Sequence, residues 1–287
     1  MRIPPYWANE NHTGVDRRGD PCDYRAWGWS FTSLTEAAEE AKARAKRIFD
    51  ALTSDRKPDS YAYQEHPSRE EIVDSVGPKG DETLIITRNR YGALVLNCSS
   101  VCFVDVDFPE VKSSGFLDGL LLLFSAQRRQ ERKRMLQQAT VEQVRAWAQC
   151  HPDRSFRLYR TAAGLRLLFV DRHYDPASQE VADLFRELGS DPLYARLTLR
   201  QQCFRARLTP KPWRCRCETP PNRYPWETPD AERVYRAWQE TYEGKSQGYG
   251  ICRLLETLGS CSPDETIDGI VRLHDEYTCG SHQAELA

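Results

Sequence analysis

From Val101 to Leu208 the hydrophobic pattern switches repeatedly between the period of a strand and that of a helix, and this order limits the fold more than any other feature. Val101 to Asp107 reads as a strand. Helices are expected from about Leu117 to Gln138, and from Thr140-Val-Glu-Gln143, a capping-box pattern, to about Cys150. Strands Phe156 to Thr161 and Leu165 to Asp171 flank a tight turn at Ala162-Ala163-Gly164. A helix over Pro176 to Leu188 and a strand over Cys203 to Leu208 complete the series. The order β-α-β-β-α-β predicts an α+β fold, a four-stranded antiparallel sheet with helices on one face and the other face open.

The flanks read differently. Residues 1–80 predict an N-terminal αβ extension. Short aromatic strands run over Pro4 to Ala8 and Arg25 to Phe31, and the capping box Ser33-Leu-Thr-Glu36 opens a helix to about Leu52. Ser68-Arg-Glu-Glu71 is a second such box and predicts a shorter helix, broken by Gly77 to Asp81. Residues 81–211 form the expected core, beginning with a hairpin of Thr83 to Thr87 and Ala93 to Asn97. Residues 212–287 read as a proline-rich connector and a C-terminal helical segment.

Within the core, Asp105 and Asp107 stand at i, i+2 on the first strand and so share one face. Two carboxylates that close repel each other, and an oxygen-seeking divalent cation, Mg²⁺ or Mn²⁺, is the common remedy. A strand that ends at Asp105, with both acids solvated and Phe108-Pro109 closing the loop, is the alternative. Net charge is −2, so any attraction to nucleic acid must be local. One stretch supplies it: Pro192 to Cys217 carries Arg196, Arg200, Arg205, Arg207, Lys211, Arg214 and Arg216 and no acid. Arg205 and Arg207 alternate on one strand face, and Trp213, beside Lys211 and Arg214, is placed to stack on a base. Arg128, Arg129, Arg132, Lys133 and Arg134 wrap too much of a helix to focus on one ligand, and Tyr6, Trp7, Trp27 and Trp29 could stack on bases, although packing of the N-terminal unit is the simpler reading. Cys252, Cys261, His274, Cys279 and His282 could form a metal site, although tolerated thiols are the simpler reading. No apolar run has transmembrane length and no secretory h-region opens the chain, which predicts a cytoplasmic protein with no membrane partner and with reduced cysteines.

These motifs, in this order, resemble the catalytic core of the archaeo-eukaryotic primase and primase-polymerase superfamily over roughly residues 100 to 211. Phe103-Val-Asp105-Val-Asp107 matches that family's hhhDhD strand, and Thr161-Ala-Ala-Gly164-Leu-Arg166 matches its Ser/Thr-Gly-x-Gly-x-His segment, with arginine in the histidine position. The resemblance implies an RRM-like core. It also implies catalytic Asp105 and Asp107 as metal ligands, with Asp171 of Phe169-Val-Asp171 as the nearest candidate for the third acid. Arg160, Thr161, Gly164 and Arg166 would contact a nucleoside triphosphate, and Arg205, Arg207, Lys211, Trp213 and Arg214 a nucleic-acid strand. The expected activity is metal-dependent nucleotidyl transfer in DNA replication or repair. The alternatives are a primase-like nucleic-acid-binding module without catalysis, which Arg166 would suit, and a metal-dependent nuclease. A third carboxylate within reach of the aspartate pair separates enzyme from binder.

Overall fold

The structure, a computed structural model, describes residues 1, 3–53, 67–77, 83–111, 125–280 and 284–287. It is an α+β fold built on two antiparallel four-stranded sheets. Strands β1 (Tyr6–Val15) and β2 (Pro21–Ser30) form a long hairpin, against which helix α1 (Leu34–Thr53) lies. The fit is made by small residues. Ala37, Ala41 and Ala45 recur every fourth position and are fully buried. Gly28 of β2 faces them so closely that a Cβ there would meet Ala37 O and Ala41 N at 2.2 Å.

Next come β3 (Glu71–Val76), β4 (Leu84–Arg88), β5 (Leu94–Cys98) and β6 (Phe103–Asp107), then α2 (Ala126–Cys150), β7 (Phe156–Thr161) and β8 (Gly164–Phe169). Helices α3 (Gln179–Glu187) and α4 (Pro192–Gln201) precede β9 (Phe204–Arg207) and a 3₁₀ turn at Pro212–Arg214. The C-terminal part holds α5 (Pro229–Ser246), β10 (Tyr249–Gly250), β11 (Cys252–Leu258), α6 (Glu265–Thr278) and β12 (Glu285–Leu286).

One sheet runs β11-β7-β8-β6 and the other β3-β4-β5-β9. The neighbours β6, β8 and β7 are those the sequence predicts, but β9 pairs with β5 and not with β6. Side chains of the 190s satisfy the edge of β6 left open by this. Ser190 Oγ donates to Asp105 O at 3.1 Å, and the Tyr194 hydroxyl lies 3.0 Å from Phe103 O and 3.1 Å from Arg205 O, spanning the seam between the sheets. Strand alternation gives the β6-β8-β7 sheet two buried faces. Val104, Leu167 and Phe169 look toward Val144 and Trp147 of α2 and Leu184 and Phe185 of α3. Phe103, Tyr159 and Arg166 look the other way, toward His274 of α6. The expected open face is therefore covered, because α6 carries an apolar stripe of Ile267, Ile270 and Val271.

Other expectations are also corrected. The box at Ser68 opens a strand, since Glu71 and Ile72 pair with Arg88 and Thr87 of β4. Helix α2 is continuous through Thr140, whose hydroxyl donates to Leu136 O at 2.9 Å inside the helix and does not cap a new one. The predicted start of that helix, at Leu117, falls outside the described residues. The boundary at 211 does not separate the core from a helical tail, because β11 completes the sheet by pairing with β7. Helix α4 was not expected. Asp191 caps it, accepting from Leu193 N at 2.9 Å, and Pro192 supplies its first turn.

Candidate nucleic-acid interface

Strand register puts Asp105 opposite Arg166 and Asp107 opposite Gly164. Gly164 is required at that place, as a Cβ would come within 2.1 Å of Val106 O. The guanidinium of Arg166 is buried and takes both oxygens of Asp105, Nε donating to Oδ1 at 2.8 Å and Nη2 to Oδ2 at 3.1 Å. Its Nη1 donates to Arg207 O at 3.1 Å and turns to His274 Nε2 at 3.5 Å. Arg166 thus occupies the position of a charge-compensating cation beside Asp105. It is consumed there and does not face an incoming nucleotide.

Asp107 is exposed, and its carboxyl is raised above the ordinary carboxylate range by partial desolvation, then by Asp191 and Asp105, with Lys211 and Arg214 pulling it back. Asp171, the expected third acid, is not brought to this pair. It lies beyond the far end of β8, buried, accepting from the Tyr174 hydroxyl at 2.8 Å and paired with Arg172 at 3.1 Å. Asp191 at the head of α4 is the acid that comes near Asp107, and only the tertiary fold shows it. Among the described residues no group of three His, Cys, Asp or Glu side chains is arranged to hold a metal ion. With both Asp105 oxygens engaged by Arg166, the donor set does not fit the expected Mg²⁺ or Mn²⁺. The C-terminal cysteine and histidine set also divides: Cys252 Sγ lies 3.9 Å from His274 Nε2, Cys279 Sγ 3.8 Å from Asp275 Oδ1, Cys261 is exposed near Asp171, and His282 is outside the described residues.

The expected nucleotide contacts scatter. Arg160 is on the opposite sheet face, donating to Gln137 Oε1 at 2.6 Å and lying over the Phe108 ring. Thr161 Oγ1 accepts from Gly164 N at 3.0 Å and holds the turn. Arg205 is paired with Glu70 at 2.7 Å, so it is not on offer to a phosphate.

The remaining cations do converge. Arg207 is largely buried, its Nη1 has no hydrogen-bond partner among the described residues, and burial followed by the charges of Arg166 and Arg214 lowers its pKa to about 10. Lys211 is lowered in the same way, by burial and then by Arg207 and Arg214. Its Nζ sits 5.5 Å from the centre of the Trp213 ring, which is half exposed and meets Tyr91 edge-on at 5.2 Å. Burial and neighbouring positive charge thus depress both Arg207 and Lys211, with Arg214 close to each, an arrangement of charge that an anion would relieve. Comparison with protein-family models, curated proteins and solved structures finds no match.

Proposed function

We propose that the chain is a primase-like α+β module that binds nucleic acid through Arg207, Lys211, Arg214 and Trp213 and carries out no metal-dependent nucleotidyl transfer. The observation that supports this reading is the unfilled Arg207 guanidinium amid mutually repelling cations, which a phosphate would both pair and neutralise. Trp213 adds a flat surface for a base beside that phosphate. The absence of catalysis is supported by the Asp105–Arg166 pair, in which a fixed guanidinium provides the compensation that a metal ion provides in a primase site.

Nucleotidyl transfer stays open as a second reading through the crowding of Asp107 with Asp191, because a cation would relieve it. Incubating the protein with Mn²⁺, nucleoside triphosphates and a labelled single-stranded DNA separates the readings. Retention without extension or cleavage is expected, with Lys211→Ala/Arg214→Ala losing retention. Extension, or cleavage, that disappears in Asp107→Asn overturns the proposal.

A further inference from the structure

A cleft of about 1180 Å³ opens between the N-terminal hairpin, α4 and the sheet that contains β9. Its size exceeds what a small ligand fills. Eight arginines and two glutamates line it, in a chain whose overall charge is −2. Three of these arginines are already paired, Arg205 with Glu70 at 2.7 Å, Arg88 with Glu243 at 2.9 Å and Arg25 with Glu227 at 3.0 Å, and Glu71 pairs with Arg236. The same walls carry seven aromatic rings. Trp27 and Trp29 alternate on β2 and so face the same way. Arg69 lies over the Trp27 ring at 4.7 Å and Arg44 over Trp29 at 4.9 Å, flat cations on indole faces. A nucleobase stacks on an indole in that same place, and a guanidinium displaced by it is left beside the strand's phosphates.

The cleft and the cationic mouth meet at Tyr91. Tyr91 lines the cleft and at the same time meets Trp213, which stands beneath Lys211. An aromatic and cationic track therefore leads from Arg207 past Trp213 and Tyr91 to Trp29. An acidic peptide would leave the aromatic platforms unused, and a duplex could not present its bases to them.

We propose that the cleft holds the single-stranded continuation of a nucleic acid whose phosphate sits at Arg207, with successive bases laid on Tyr91, Trp29 and Trp27. This inference rests on the nucleic-acid reading of the mouth. For Trp27 and Trp29 it takes up base stacking, the alternative to packing of the N-terminal unit.

The test uses the full chain and fluorescein-labelled oligothymidylates of two lengths, one that fits the mouth alone and one about three times longer. Trp27→Ala/Trp29→Ala is expected to weaken the long oligomer about tenfold or more and the short one little. Lys211→Ala/Arg214→Ala is expected to weaken both. Arg200→Glu/Arg223→Glu, two exposed positions on the cleft wall, tests the same path without disturbing the hairpin and should weaken only the long oligomer. Long-oligomer affinity unchanged in both cleft variants overturns the cleft inference and leaves the mouth reading standing. Loss of binding in the cleft variants with none in the mouth variant overturns the mouth reading and the proposed path together. Displacement of the long oligomer by poly-glutamate at equal charge concentration also overturns the inference, since it would show a site for acidic chains in general.

Discussion

Arg166 shows how one side chain can redirect a site. Removing it leaves the Asp105 carboxylate beside a buried strand with no counter-charge. Asp105 is partly exposed and water takes over some of the compensation, so Arg166→Leu is expected to lower stability by about 1–3 kcal/mol, read from the urea midpoint. Asp107 behaves in the opposite way. Its carboxyl is raised in the folded protein, so the folded state holds that proton more tightly, and this contribution is full below the ordinary carboxylate value and lost as pH rises through the raised one. Asp107→Asn should consequently be more stable than the parent at pH 7 and no more stable at pH 3, by a modest margin because the group is exposed. Equal thermal midpoints at pH 7 would show that the crowding has no thermodynamic weight. At this scale the sequence discloses which residues carry charge but not which of them meet. Asp105 and Arg166 are adjacent because register makes them so. Asp171 looks like a third acid by order alone, and Glu70, the partner that removes Arg205 from the surface, lies just before the distant strand β3.

Elements were legible where their period was strong. The hairpin β4–β5, the strands β6, β7 and β8, and the helix after Ser33 all stand close to where the pattern puts them. Two failures share a cause. The box at Ser68 and the tail strand β11 were read from local preference, and both were decided by pairing with a distant strand, β4 in one case and β7 in the other. Helix α6 imposes a pH dependence of its own. His274 is buried, and burial, then Arg166, holds its imidazole below the ordinary value against the pull of Asp275. The unfolded imidazole takes up a proton that the folded one refuses, so stability is full above about pH 6.5 and falls as the solution is acidified through the folded value. His274→Gln should flatten that slope in denaturation curves taken from pH 7.5 down to pH 5; an unchanged slope would assign it elsewhere. Packing of α1 on the hairpin can be tested at Gly28, where any Cβ strikes helix backbone. Gly28→Val is expected to separate helix from hairpin and expose residues 6–53 to rapid proteolysis, while strands β4 to β8 and β11 keep their protection.

In the whole molecule the two sheets meet without a shared ladder. The seam is held by the Tyr194 hydroxyl and by Arg166 reaching Arg207 O, both of which touch residues flanking the candidate site. Tyr194→Phe should keep each sheet folded while raising amide exchange along β6 and β9, and it should weaken oligonucleotide binding several-fold if Arg207 is positioned from this seam. Unaltered exchange at Phe103 and Arg205 would show that packing alone closes the seam.

The late strand β11 has one more consequence, and it concerns the order of manufacture. A ribosome delivers β6, β7 and β8 long before Cys252–Leu258, so for the interval of some ninety residues' synthesis the outer edge of β7 has no neighbour and the face destined for α6 is bare. Every nascent copy passes through a stage in which its central sheet is a ready template for another chain, and the later arrival of β11 and the helix behind it makes the protein safe from its own kind.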